Sequence, residues 1–172
     1  MDNILKKEKD YSKLGFTNLE ATEIILCLNE MLSNYQVHFH KLQNFHWNVK
    51  GRDFFELHEH FEKMYKQAFE NVDLIAERIR VFGMTPVSTM KEYLNLSEIK
   101  EAPTDLSGEF MVREILEDYE VMIGIMIETI DQASKNGDTG TIDMVNGFVK
   151  AMEKDHWQLT AWLSSKEENT IK

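Results

Sequence analysis

Apolar residues recur at steps of three and four along four long stretches of this chain, the period of an amphipathic helix. In the first stretch Ile25, Leu28, Leu32, Tyr35, Phe39 and Leu42 form the seam, and the next position in the series is His46. Thr17-Asn18-Leu19-Glu20 sets a threonine three residues ahead of a glutamate, the capping-box pattern that satisfies free amides at a helix start. Lys50-Gly51-Arg52-Asp53 is a short turn signal, and from Phe54 the same alternation runs through His58, Phe61, Tyr65, Ala68 and Ile75 to Phe82. Gly83 and Pro86 stop this second helix. A longer connection follows to about Ser107, with Tyr93, Leu94 and Leu96 able to form a short helix inside it. The third helix carries Val112, Ile115, Tyr119, Met122 and Met126 and ends at Asn136-Gly137, and the fourth carries Ile142, Val145, Val149, Met152, His156, Leu159 and Leu163. Helices joined short, long, short predict an all-α, four-helix bundle over residues 17–165, with a short helix in the crossover between the second and third. Residues 1–16 mix lysines with acids and show no apolar period, so they read as a flexible tail, and residues 166–172 read as a C-terminal tail.

Length and composition narrow the picture. A chain of 172 residues makes one domain, and two prolines with eight glycines leave too few turn signals for an all-β protein. The solitary Cys27 excludes an intramolecular disulfide framework and any cysteine-cluster zinc site. No basic-apolar leader opens the sequence and no apolar run approaches a membrane span, so the expectation is a soluble cytoplasmic protein. Thirty acids against 19 bases give a net charge of -11, which repels phosphate backbones and membrane surfaces and attracts cations.

The candidate chemistry lies at the end of the first helix and along the second. At 100° per residue, Glu62 lies about 40° from His58, Asp73 about 60° and Glu77 about 100°, so all four share one face. That face also holds Phe61 and Val72, an expensive place for carboxylates unless a cation or hydrogen bonds compensate them. Histidine nitrogen with carboxylate oxygen suits iron, manganese or zinc, and iron is the expectation. Glu62 and Asp73 are 11 residues apart, about 16 Å along the axis, so one ion cannot touch both pairs of one helix. A second copy of the helix, antiparallel across a two-fold axis near residue 67 or 68, brings Asp73 and Glu77 opposite His58 and Glu62. His46, delivered by the short hairpin, joins the first pair. The spacing therefore predicts two equivalent sites shared across a dimer, each with two histidines and three carboxylates, enough for one or two ions.

The string Phe45-His46-Trp47-Asn48-Val49-Lys50-Gly51, then Phe54-Phe55, Leu57-His58-Glu59, Phe61-Glu62, Tyr65 and Asp73-Leu74-Ile75-Ala76-Glu77-Arg78-Ile79, resembles the signature of the Dps family, ferritin-like DNA-binding proteins from starved cells. Gly83, Pro86, Ser88-Thr89 and Glu92-Tyr93 are also similar to the family's crossover. The resemblance runs from Leu19 to Leu163. It implies a dodecameric hollow shell of four-helix subunits with ferroxidase centres at the two-fold interfaces, where Fe(II) is oxidised by hydrogen peroxide or dioxygen and stored as ferric mineral, protecting against oxidative stress. Carried over, His46, His58 and Glu62 come from one subunit, Asp73 and Glu77 from its mate, as catalytic and metal-ligating residues. The family commonly has aspartate at position 62. Glutamate moves the carboxylate outward by a methylene, a departure from the family pattern that bears on whether the second, weaker iron position is filled.

Other features have plainer readings. His156-Trp157 has no carboxylate four residues on and reads as core packing, while His38, His40 and His60 read as surface or structural. The ten methionines read as core filler, and Trp47 as a dimer contact that is a candidate for absorbing radical equivalents. Asp138, Asp143 and Asp131 are candidates either for acidic pores that admit iron or for helix capping. The alternative function, a DNA-condensing nucleoid protein, is disfavoured by the -11 charge and by a tail whose four lysines face three acids. A di-iron oxygenase would place Glu-x-x-His motifs on the seams of one bundle, and none is evident.

Overall fold

A computed structural model describes the backbone of residues 18–170 and the side chains of residues 21–164. The expected tail over 1–16 and the Thr17 cap lie outside the described residues. Five helices follow in order: α1 (Asn18–Asn48), α2 (Phe54–Val81), α3 (Met90–Leu96), α4 (Gly108–Lys135) and α5 (Thr139–Thr170). The α5 backbone thus continues past the boundary expected at 165, while the side chains of the expected 166–172 tail lie outside the described residues.

The three-four seams are where the core forms. Leu28, Leu32, Tyr35 and Leu42 of α1, Phe61, Ile75 and Ile79 of α2, Val112, Ile115 and Met126 of α4, and Val145 and Leu159 of α5 are all buried. Six of the ten methionines, Met31, Met64, Met111, Met122, Met126 and Met152, fill this core as expected of an adaptable side chain. α1 packs along α2 and α4, and α4 along α5. Between the first half of α2 and the last half of α5 lies a cavity of about 790 Å³ lined by Leu57, His60, Trp157 and Trp162.

The helix ends follow from local chemistry. At the end of α2, Gly83 takes φ +79°, its N–H bonds Arg80 O at 2.8 Å, and the Met84 N–H bonds Ile79 O, closing the last turn in a conformation that favours glycine. Gly137 repeats this after α4, with the Asp138 N–H on Ala133 O at 2.9 Å. A capping box of Thr89 and Glu92 starts α3, and Ser107 caps α4. Two α1 asparagines anchor the long crossover. Asn34 Oδ1 accepts bonds from Ser97 Oγ and from the N–H groups of Glu98 and Ile99, and Asn29 Oδ1 accepts from the Val87 N–H.

Candidate metal centre

The turn at 50–53 reverses the chain and lays the last turn of α1 beside the second turn of α2. His46 Nδ1–H donates to the carbonyl of His58, and His58 Nδ1–H donates to the carbonyl of His46, each at 2.8 Å. A carbonyl can only accept, so each ring carries a proton on Nδ1, and in the neutral ring each Nε2 keeps a lone pair. The rings stack with centroids 3.9 Å apart and planes 19° apart. Phe54 stacks on His58, and the edge of Tyr65 meets His46, leaving the pair little freedom to turn. Two oriented imidazole nitrogens with their far sides bonded to backbone carbonyls are the outer-sphere arrangement typical of metal-ligating histidines.

Glu62 follows His58 by one turn. Its Oε1 pairs with Lys66 Nζ, and that ammonium, with the fields of His46 and His58 behind it, holds the Glu62 carboxyl below the usual carboxylate range. The carboxylate is therefore ionised, one helical turn beyond His58. Asp73 and Glu77 lie about three and about four turns further along α2 and are exposed. Within one chain the expected burial of these carboxylates on an apolar face is thus not found. Phe61 sits fully inside the core, and the acids project along the neighbouring, solvent-facing stripe. Among the described residues, no three His, Cys, Asp or Glu side chains of the chain converge as a metal group. The structure unites His46 and His58, sets Glu62 beside them, and leaves Asp73 and Glu77 apart.

That stripe is also apolar. On α2 Phe55 is 82% exposed and Phe69 61%, and Trp47 at the end of α1 is 68% exposed. Large aromatic surface interleaved with acids on one helix face marks an interaction surface.

The remaining candidates separate from this site. His38 is buried, and its Nδ1–H donates to Asp118 Oδ2 at 2.9 Å, while Lys41 Nζ lies 2.7 Å from Asp118 Oδ1 and 3.4 Å from Glu114. A tethered ammonium already fills this histidine-carboxylate cluster between α1 and α4. His40 is exposed. His60 faces the α2–α5 cavity, its Nε2 is buried without a hydrogen-bond partner among the described residues, and burial lowers its pKa. His156 is half-buried, and Trp157, read as core from its sequence, is 66% exposed on the cavity rim. Asp138 takes the capping role. It is buried, its Oδ1 accepts the Thr141 N–H at the start of α5, and Arg78 pairs with it from α2. Asp131 and Asp143 are exposed, Asp131 in an ion pair with Lys135. Burial and neighbouring acids push the Cys27 thiol up to about 11, so it stays protonated and is a poor ligand. The cluster around His38 had no signal in spacing, because it depends on which helices become neighbours, whereas the capping role of Asp138 was one of its two sequence readings.

The ferritin-like domain family matches residues 25–167. The chain is 42% identical over 142 residues to DNA protection during starvation protein 2 of Bacillus anthracis, covering 83% of this chain and 97% of that one. This chain belongs to the Dps family. It is likewise 37% identical to general stress protein 20U of Bacillus subtilis, covering 83% of this chain and 99% of the relative. The crystal structure of a Dps protein from Vibrio cholerae superposes with a TM-score of 0.84 at 30% identity, over 87% of this chain and 94% of the other; that protein is a member of a broad superfamily of ferritin-like diiron-carboxylate proteins. The Dps fold thus accounts for the short-long-short order of the helices. Among the described residues no helix is long and apolar enough to cross a membrane.

Proposed function

We propose that the chain is an iron-storage and detoxification protein whose ferroxidase centres form where two copies meet. The observation that carries the reading is the reciprocal histidine pair, which leaves two oriented Nε2 lone pairs and an ionised Glu62 facing an exposed aromatic stripe. Two α2 helices packed antiparallel about residue 67 or 68 would cover Phe55 and Phe69 and bring Asp73 and Glu77 of each copy to the histidines of the other. Burial of that stripe also supplies the low-dielectric surroundings in which carboxylates bind cations tightly.

Ferrous ion is the substrate. The histidines hold the ferrous state, and the carboxylates favour the ferric product, whose higher charge hard oxygens stabilise. Two ferrous ions give one electron each to one hydrogen peroxide, which with two protons yields two waters and no hydroxyl radical. Dioxygen is the alternative oxidant. The ferric product then enters a dodecameric shell as mineral, in the cytoplasm.

The test uses two double variants, His58→Ala with Glu62→Ala and Asp73→Ala with Glu77→Ala. Each alone is expected to oxidise iron slowly, since both sites of its homodimer lack half their ligands. In mixed dimers one site receives two intact halves, and activity returns to at most half of the normal value. Verified mixed dimers that remain as slow as either variant would sink the shared centre.

Direct DNA binding is favoured only by the names of relatives such as DNA protection during starvation protein 2. The -11 charge opposes it, and no saturable gel retention is expected near physiological salt.

A further inference from the structure

We infer that Lys66 is the resident cation of the iron-free centre: its ammonium holds the place on Glu62 that a second ferrous ion takes, so that ion binds by displacing it. The inference rests on the shared centre proposed above and adds a residue to it. On α2, Lys66 lies about 40° around the axis from Glu62 and about 20° from both Asp73 and Glu77, in the middle of the acidic stripe. Its Nζ is paired with Glu62 Oε1. An ammonium has donors and no lone pair, so it satisfies the carboxylate and cannot itself ligate a metal. Assembly without iron would bring Glu62 of one copy against Asp73 and Glu77 of the other, three like charges at one place, and Lys66 offsets part of that repulsion.

The two halves of the centre therefore differ in access. The histidine Nε2 atoms have no competitor, whereas Glu62 is occupied. Lys66 has somewhere to go when displaced. Glu70 lies one turn further on, and its hydrogen bond from Gln67 Nε2 is long at 3.4 Å. A glutamate four residues before a lysine is the stronger order of such a pair, so Glu62 is the resting partner and Glu70 the weaker second one. Glu62 and Lys66 both line the rim of the cavity between α2 and α5, which leaves room for the exchange. The long carboxylate arm at position 62 and the lysine one turn later act together.

Zinc, which is redox-silent, is the probe, titrated calorimetrically into the assembled protein. The expected result is a tight first class of sites and a weaker second. In Lys66→Met the second class tightens about two- to fivefold and the first is unchanged, Lys66→Arg behaves as the unaltered protein, and Glu62→Gln loses the second class. With 15N-labelled lysine, the Lys66 Nζ resonance moves with the second equivalent of zinc and not with the first. An unchanged isotherm for Lys66→Met, or a resonance that moves with the first equivalent, overturns the inference. His46→Ala separates the two levels. If it leaves zinc uptake intact the shared centre itself fails, whereas if it abolishes uptake while Lys66→Met changes nothing, the centre stands and the role of Lys66 does not.

Discussion

Eight residues of α1 separate two histidines with opposite fates. His38 points between α1 and α4, where Asp118 accepts a hydrogen bond from its Nδ1–H and Lys41 donates to the other oxygen of the same carboxylate. Every strong partner in that cluster is already used. His46 instead bonds only through Nδ1, to a backbone carbonyl, and its other nitrogen remains available, as does that of His58. The presence of histidine beside carboxylate therefore does not distinguish a metal site from a structural one. What distinguishes them is whether the lone pairs are spent within the fold.

The comparison can be broken most severely at the inner cluster. Asp118→Ala leaves the buried Lys41 ammonium with only half-exposed Glu114 as counter-charge, and is expected to cost about 3–5 kcal/mol in urea unfolding. Asp118→Leu combined with Lys41→Met should recover part of that loss, since an apolar pair of similar volume needs no charge compensation but leaves the buried His38 N–H without its acceptor. Neither change should alter zinc uptake at the His46 centre, and a parallel loss of both properties would show the two regions to be coupled. At the outer pair the pattern reverses. His58→Ala should lower the initial rate of iron oxidation by at least about tenfold, in stopped-flow absorbance, with a stability cost of about 1 kcal/mol for the lost hydrogen bond. Thr89→Ala, which removes the cap of α3 away from both regions, should cost about 1 kcal/mol and leave oxidation unchanged. The smallest effect is one of pH. Burial lowers the His60 pKa below its ordinary value of 6.5, so the unfolded chain binds more protons than the folded one as pH falls through that value. Stability is full above about pH 6.5 and declines below it, and His60→Gln should flatten the slope of melting temperature against pH.

Much of the architecture was legible because it depends on local pattern. The seams of all four long helices are buried or half-buried throughout, and the glycine stops at 83 and 137 lie where the turns close. The short crossover helix is longer than its apolar residues suggested, starting at Met90, because Thr89 and Glu92 cap each other. Asp138 remained ambiguous, because its role depends on Arg78 arriving from another helix 60 residues earlier. Trp157 was misread for a related reason: α2 and α5 stand apart there, and a position that would be interior in a tighter bundle faces a cavity. At the candidate centre, spacing identified the stripe but not its exposure, nor the lysine that occupies Glu62, since helical periodicity gives direction and not neighbours.

The crossed bonds between His46 and His58 have a consequence for the turn that joins their helices. Surface loops usually accept an added residue at little cost, because the entropy of closing a loop grows slowly with its length. The segment from Lys50 to Asp53 is different, since it measures out the register at which each ring meets the other's carbonyl. One residue more would shift α2 along α1, break both bonds together, and free the imidazoles to rotate and exchange their protons between nitrogens. In this hairpin the length of the connection is itself part of the chemistry.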